Sequence, residues 1–329
     1  MAIILDEMLK KSFITALLLS IFPVLLHAQD GTSAFQFLKL PFSAHASALG
    51  GENISIIEDD ATMAVQNPAL LSCVADKTLS LNYMLYMDGV HVAGAAFART
   101  VGERSTWAVT AQYADYGKLK ETTEENIEIG TFSAKDISIS GIYTYDLSDY
   151  WSGGVRTNFI YSHYDRYSSF AIGVDLGLNY YHQASDFSAS LVVRNLGGQL
   201  KAFEEQHEKL PVDVQLGFSK RLAHAPFRLS ATLHDLSHWS ASITGANRFG
   251  KKLLNHIVLG IDFLPTDHFY LAAGYNFRRG EEMKINGSSH WAGFACGTGI
   301  QLKRLKVGMA YAKYHVSSSS LVFNLSYAL

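Results

Sequence analysis

The 329-residue sequence is poor in cysteine, in charge and in long apolar runs. Its two cysteines, Cys73 and Cys296, cannot form a disulfide framework and lie in no CxxC pair. We expect both to be structural, with a disulfide between them as the less favoured alternative. Charged residues make up 17%, against about 25% in soluble domains, and no cluster of Lys and Arg indicates a nucleic-acid partner. After Ala28, no apolar stretch is long enough for a transmembrane helix.

Patterns typical of catalytic and metal sites are missing as well. His234 and His238 are four residues apart, but no HExxH is present, so zinc is not expected. The run GTG at 297–299 lacks the strand-to-helix context of a dinucleotide site, and no GxSxG elbow occurs. An enzyme would need Ser, His and an acid grouped at one rim, and the sequence indicates no such group. We therefore expect a non-enzymatic protein with no catalytic residue, no cofactor and no metal.

The N-terminus has the pattern of a secretory signal peptide. Lys10 and Lys11 precede an apolar run from Phe13 to Leu26, and Ala28 is followed by polar residues. A membrane anchor is the alternative, but this run is shorter than the about 20 residues that a spanning helix needs. We predict an exported protein whose signal peptide, residues 1–28, is removed after Ala28.

Residues 77–329 alternate apolar and polar side chains with the period of two that β-strands have. The last strand, for example, places Leu321, Phe323 and Leu325 on one face and Asn324 and Ser326 on the other. We count 14 strands, most of them about 10 to 13 residues long, which is enough to cross a bilayer when tilted. The strands start near Lys77, Val90, Ser105, Asp136, Trp151, Tyr167, Asp186, Val212, Pro226, Leu253, His268, Trp291, Leu305 and Ser319.

The connections between these strands favour a membrane barrel. Those after the even-numbered strands are short, whereas four after odd-numbered strands are long: 116–135, 197–211, 237–252 and 278–290. Short turns at one end and long loops at the other are typical of outer-membrane barrels. A soluble β-sandwich would also alternate, but strand length and loop parity weigh against it. The predicted fold is an all-β, 14-stranded antiparallel transmembrane β-barrel in the bacterial outer membrane.

A barrel of this size is too wide for its own side chains to fill. Residues 29–76 carry no strand pattern and are rich in Ala and Gly, so we predict that they form an N-terminal hatch inside the barrel. Ten polar wall residues are expected to face the lumen, and Asp59 and Asp60 of the hatch are placed opposite Arg156 or Arg194. The ten are Asn82, Gln112, Arg156, Asn158, Asp175, Asn179, Arg194, Asp213, Gln215 and Asp262.

The hatch segment carries the one resemblance to a known family. It contains FLKLP at 37–41, ASALGG at 46–51 and DDATMAVQNPAL at 59–70. Together these runs resemble the start of the PorQ and PorV barrels of the type IX secretion system of Bacteroidetes. The Asn-Pro-Ala element alone is similar to a wider group, the FadL-like 14-strand barrels with an N-terminal hatch. The structural hatch motif comprises Gly50, Gly51, Asp59, Asp60, Asn67 and Pro68.

The resemblance implies a non-enzymatic outer-membrane scaffold. A barrel of this family would hold a PorZ-like surface protein beside PorU and PorV, in the complex that attaches cargo to lipopolysaccharide. A solvated face is the favoured interpretation of most of the acidic run in the longest loop, and a protein-docking surface on the long loops is the alternative that this role requires. A FadL-like channel for hydrophobic small molecules is the alternative function. The candidate partner-binding residues are Glu121, Glu124, Glu125, Glu204 and Glu205.

Overall fold

The computed structural model describes residues 35–124, 127–204, 207–239, 249–282, 291–314 and 318–329. These residues form 14 antiparallel strands, each hydrogen-bonded to the next along the chain, and β1 pairs with β14 to close the barrel. The predicted fold class is confirmed. The strands are β1 Thr78–Leu85, β2 His91–Val101, β3 Ser105–Thr122, β4 Glu128–Asp146, β5 Trp151–Tyr164, β6 Tyr167–His182, β7 Phe187–Lys201, β8 Asp213–Arg221, β9 Phe227–Leu233, β10 Ile257–Thr266, β11 Phe269–Asn276, β12 Phe294–Leu302, β13 Leu305–Ala312 and β14 Ser320–Ala328.

The two faces of the wall differ as the alternation predicts. In β1, Thr78, Ser80 and Asn82 point inward and are buried, while Leu79 and Leu81 are 39% and 45% exposed on the outside. An apolar outer face and a polar interior are what a barrel in a bilayer requires. Nine of the ten predicted lumen residues are buried and the tenth, Asp213, is half-buried.

The wall is taller on one side than on the other. Strands β3 to β7 have 14 to 19 residues, whereas the other strands have 7 to 11. The first part of β4, from Glu128 to Ser133, pairs with strand β3 and with no residue of strand β5. Residues 118–122 and 128–133 therefore form a two-stranded ribbon that extends past the turn between β5 and β6.

This ribbon corrects the expected loop at 116–135. β3 runs on to Thr122 and β4 already begins at Glu128, because the two segments hydrogen-bond to each other despite their charged side chains. The expected loop at 197–211 is also shorter, since β7 continues to Lys201.

Helices occupy part of the other long connections. Helix α2, Phe249–Asn255, follows β9, and helix α3, Phe277–Glu282, follows β11. The strand expected to start near Leu253 begins at Ile257 instead, because 249–255 is helical. The carboxylate of Asp235, just after β9, accepts a hydrogen bond from Arg278 of α3 and one of 2.7 Å from Nδ1 of His238.

Inside the barrel lie residues 35–76, which contain short helical elements only. They are α1, Ala44–Ala48, and three 3-10 turns at Gln36–Lys39, Met63–Val65 and Pro68–Cys73. Apolar side chains of this segment, such as Leu49, Ile54 and Leu70, are at most 1% exposed. The two cysteines carry free thiols. Among the described residues, no helix has the length and apolar character needed to cross a membrane.

Candidate functional site: the hatch and the lumen wall

The hatch crosses the barrel from the long-loop end to the short-turn end. At the long-loop end, the ring of Phe35 stacks on Phe203, which follows β7, with centroids 6.1 Å apart. At the other end, the chain leaves the hatch at Val74 and enters β1 at Thr78. Short turns identify this second end as the periplasmic one. The segment therefore extends through the lumen from one end of the barrel to the other.

Two hatch glycines from the predicted motif allow close packing against the wall. Gly50 and Gly51 have φ of +100° and +97°, a conformation that side chains other than glycine rarely adopt. They end α1, and the Gly51 N–H donates to the carbonyl of Ala46 at 2.9 Å. A Cβ on Gly50 would lie 2.5 Å from Cγ1 of Val258. The hatch backbone thus touches β10 at a distance that only glycine permits.

Asn67 and Pro68 fix the second half of the hatch. The side-chain oxygen of Asn67 accepts from the Ala69 N–H at 3.0 Å and so caps the 3-10 turn that Pro68 begins. The side-chain amide of Asn67 donates to the carbonyl of Ile54 at 2.7 Å. On the wall side, the Thr144 hydroxyl donates to the Pro68 carbonyl at 2.5 Å. Asn67 therefore satisfies hatch groups that are buried away from water.

Asp59 and Asp60 have different partners from those expected. Asp59 pairs with Lys306 of β13, with Nζ 2.8 Å from Oδ2. Asp60 accepts from the backbone N–H of Thr62 at 2.9 Å and from the side-chain amide of Asn324 at 3.2 Å. The expectation that they face Arg156 or Arg194 is wrong, because the hatch presents them to β13 and β14 at the periplasmic end.

The two lumen arginines hold hatch carbonyl groups instead. Arg156 donates to the carbonyl of Val65 at 2.9 Å and to the carboxylate of Asp175 at 3.2 Å. Arg194 donates to the carbonyl of Leu38 at 2.9 Å, and its Nη1 lies 3.5 Å from Oε2 of Glu52. Both arginines are at most 4% exposed. Each buried charge is thus matched by a carboxylate while it binds the hatch backbone.

His45 links the hatch to the wall through two carboxylates. Its Nδ1 lies 2.6 Å from Oε2 of Glu58, also in the hatch, and its Nε2 lies 2.8 Å from Oδ1 of Asp262 in β10. Arg228 of β9 donates to the other oxygen of Asp262 at 2.8 Å. The His45 ring stacks on Tyr270 with centroids 3.8 Å apart. Because each ring nitrogen faces an acceptor, the geometry fits an imidazolium that donates from both.

The electrostatics of His45 agree with that protonation state. Burial lowers the pKa of the imidazole, but the charges of Glu58 and Asp262 and their hydrogen bonds outweigh it and raise the pKa from 6.5 to about 9. The cluster borders a polar cavity of about 260 Å³ at the periplasmic end. This cavity is also lined by Arg221, Lys306 and the Asp59–Asp60 pair.

Sequence reasoning missed His45, Glu58, Arg228 and Tyr270. His45 stands immediately before the ASALGG run, but no local pattern marks it, since its wall partner Asp262 is 217 residues away. Asp262 itself was found, because alternation places it on the inner face of β10.

The predicted docking residues lie apart from this cluster, at the long-loop end. Glu121 is an exposed residue of the β3 ribbon, Glu124 lies in the turn that follows, and Glu204 is exposed after β7. Glu125 and Glu205 lie outside the described residues. The structure thus brings together the hatch motif and the lumen wall, but it separates both from the acidic positions.

Solved structures with this architecture are known, although sequence comparison finds no relative. No protein-family model and no curated protein matches the sequence. The structure resembles the Pseudomonas putida toluene transporter TodX with a TM-score of 0.56 and 10% identity, over 88% of this chain and 98% of TodX. The chain has the fold of the FadL/TodX outer-membrane barrels.

Two further channels support that assignment. The CymD monoaromatic hydrocarbon channel has a TM-score of 0.59 and 12% identity, over 89% of this chain and 98% of CymD. A FadL homologue of Pseudomonas aeruginosa has a TM-score of 0.55 and 10% identity, over 87% of this chain and 98% of the homologue. At such identities, the likeness to FadL/TodX barrels concerns the fold alone, and none of the three names mentions type IX secretion.

Proposed function

We propose that this chain is an outer-membrane channel for small hydrophobic molecules, gated by its hatch. The observation that carries the proposal is the shared FadL/TodX fold. The structural match covers 98% of a barrel named as a toluene transporter and 98% of one named as a monoaromatic hydrocarbon channel. An apolar belt around a closed barrel suits the outer membrane, where the predicted signal peptide would direct the chain.

The way the hatch is attached supports a gate. Hydrogen bonds and ion pairs from Arg156, Arg194, His45 and Lys306 hold it to the wall. Apart from the main chain that continues into β1, the described residues show no covalent link, since both cysteines carry free thiols. Such contacts break and reform reversibly, so a shift of the hatch can open a passage without unfolding the barrel.

Uptake by reconstituted vesicles tests the channel. Purified protein in liposomes should speed the entry of toluene or a fatty acid, and not of a charged solute of similar size, relative to protein-free liposomes. A cross-linked hatch, from cysteines introduced at Ala44 of the hatch and Gly308 of β13, whose Cβ atoms would lie 3.6 Å apart, serves as the closed control in a chain whose Cys73 and Cys296 are replaced by Ser. Equal uptake by open and cross-linked protein, at the rate of protein-free liposomes, would contradict the proposal.

A second candidate is a surface scaffold of the type IX attachment complex, which holds a PorZ-like protein beside PorU and PorV. The ribbon at 118–133 favours it, because Ile127 and Ile129 are each 60% exposed beyond the turn between β5 and β6. A two-stranded ribbon with apolar side chains in water is marginally stable alone, so a partner would stabilise it. The resemblance of the hatch to PorQ and PorV barrels points the same way.

A pull-down distinguishes the two candidates. Solubilised outer membrane of the native host would be passed over tagged full-length protein and over a variant whose ribbon 118–133 is replaced by a tight turn. A scaffold should capture a type IX surface protein only when its ribbon is present. Deletion of the whole protein from the host should release cargo from lipopolysaccharide. Equal capture by both forms would exclude the ribbon, and unchanged cargo attachment in a deletion strain would exclude the scaffold.

A further inference from the structure

The outer face of the barrel carries a groove on its short side. It lies over β7 to β12 and has a volume of about 630 Å³. Two outward residues, Ala231 of β9 and Ala273 of β11, are small where neighbouring positions are large. They flank β10, since Ala231 pairs with Leu259 and Ala273 pairs with Ile261. The outer surface of the wall is therefore recessed at these two alanines, one on each side of β10.

The sides of the groove are built from large apolar side chains. Phe218 and Leu229 lie on one side, and Tyr275 and Phe294 lie on the other. Its volume falls in the range of pockets that bind small ligands. Because the groove is in the apolar belt, what it meets in the membrane is the hydrocarbon of lipid.

One end of the groove is cationic. Phe187 and Lys220 line it and face each other across β7 and β8, next to the short turns of the periplasmic end. The Lys220 ammonium carries three donors, and one of them reaches the carbonyl of Ser185. A lysine at this depth places its charge at the membrane surface, where lipid phosphates lie.

We propose that this groove binds a phospholipid of the periplasmic leaflet, with an acyl chain over Ala231 and Ala273 and the phosphate at Lys220. The combination of an apolar cleft and a cation at its periplasmic end matches the two halves of that ligand. Lipid binding on the outer face does not depend on transport through the barrel. A negative result for one therefore leaves the other unaffected.

Native mass spectrometry after delipidation and addition of phosphatidylglycerol tests the site. The wild type should retain one lipid. The double variant A231F/A273F fills the groove and should lose most of the bound lipid. The control A111F adds the same ring at an exposed outward alanine of β3, outside the groove, and should retain the lipid as the wild type does. Heat-modifiable migration in detergent gels verifies that each variant is a folded barrel.

The lysine supplies an independent readout. K220Q should weaken retention of phosphatidylglycerol by about fivefold, the equivalent of about 1 kcal/mol for one cation near lipid phosphate. Equal retention by wild type, A231F/A273F and A111F would overturn the proposal. It would also be overturned if the wild type formed a dimer that A231F/A273F, and not A111F, converted to a monomer, because the groove would then seat a second copy of the chain.

Discussion

At the scale of single residues, His45 joins two parts of the chain that are far apart in sequence. Its imidazolium lies between the carboxylates of Glu58 and Asp262, and Asp262 is fully buried. Removing one member of a buried ion pair leaves the other charge without compensation. Arg228 would then be the nearest remaining cation for Asp262.

We expect H45Q to lower the free energy of unfolding by about 3 kcal/mol, since a neutral amide cannot compensate two carboxylates. Urea unfolding in detergent, followed by tryptophan fluorescence, measures the change. H224Q is the matched control, because His224 is exposed in the turn between β8 and β9. A loss no larger for H45Q than for H224Q would show that the cluster does not stabilise the hatch.

The same residue predicts a pH dependence. Because the pKa of His45 rises from 6.5 to about 9 in the folded protein, its contribution to stability is complete below about pH 6.5 and disappears as pH passes about 9. Hatch protection from proteolysis should fall over this interval in the wild type. In H45Q the corresponding step should be missing, and an identical step in both proteins would assign it to another group.

At the scale of elements, the hatch backbone comes into direct contact with some of the wall strands, in addition to the side-chain contacts. Gly274 of β11 faces Leu49 so closely that a Cβ would lie 2.1 Å from the Leu49 carbonyl carbon. A side chain at Gly274 can therefore be accommodated only if the hatch or strand β11 moves.

We expect G274A to destabilise the folded protein by about 1 to 3 kcal/mol, the usual cost of overpacking. G141A is its matched control, since Gly141 is also a strand residue and its added Cβ meets nothing within 4 Å. The temperature at which the band of the folded protein disappears from the gel ranks the stabilities of the two variants. Equal temperatures for the two variants would mean that the hatch adjusts freely at β11.

The ribbon is an element that the barrel itself does not need. Residues 118–122 pair with 128–133, and the Ser133 carbonyl also accepts from the Asp165 N–H at 3.1 Å in the turn between β5 and β6. Replacing the ribbon by a tight turn therefore removes this one hydrogen bond but no strand pairing of the wall below Ala134. We expect this variant to fold and to migrate as a heat-modifiable barrel, with its midpoint of unfolding close to that of the wild type. Failure to fold would show that the ribbon stabilises the wall below it.

At the scale of the whole molecule, the hatch decides whether the lumen is open. A 14-strand barrel is too wide for wall side chains to fill, so removing residues 35–74 should leave a water-filled pore. Single-channel recordings in planar bilayers should then show a stable conductance that the full-length protein lacks. A folded, hatch-deleted barrel without conductance would mean that the wall or its loops close the lumen.

Much of the wall could be predicted from the sequence. Alternation is a local property of each strand, so the count of 14 and the inward positions of Arg156 and Asp175 followed from it. The ribbon was mistaken for a loop because charged residues such as Lys120 and Glu128 obscure the pattern, although the two are paired across the strands. Helix α2 was mistaken for the start of a strand because a short apolar pair fits both periods.

The sequence by itself determined which residues face lipid, which face the lumen and which segment forms no strand, because these depend on neighbours one or two positions away. Only the tertiary structure decided that Asp59 meets Lys306 and that His45 lies between Glu58 and Asp262. Barrel closure and the path of the hatch bring these groups together from distant parts of the chain, and no local pattern encodes the height at which two such segments meet.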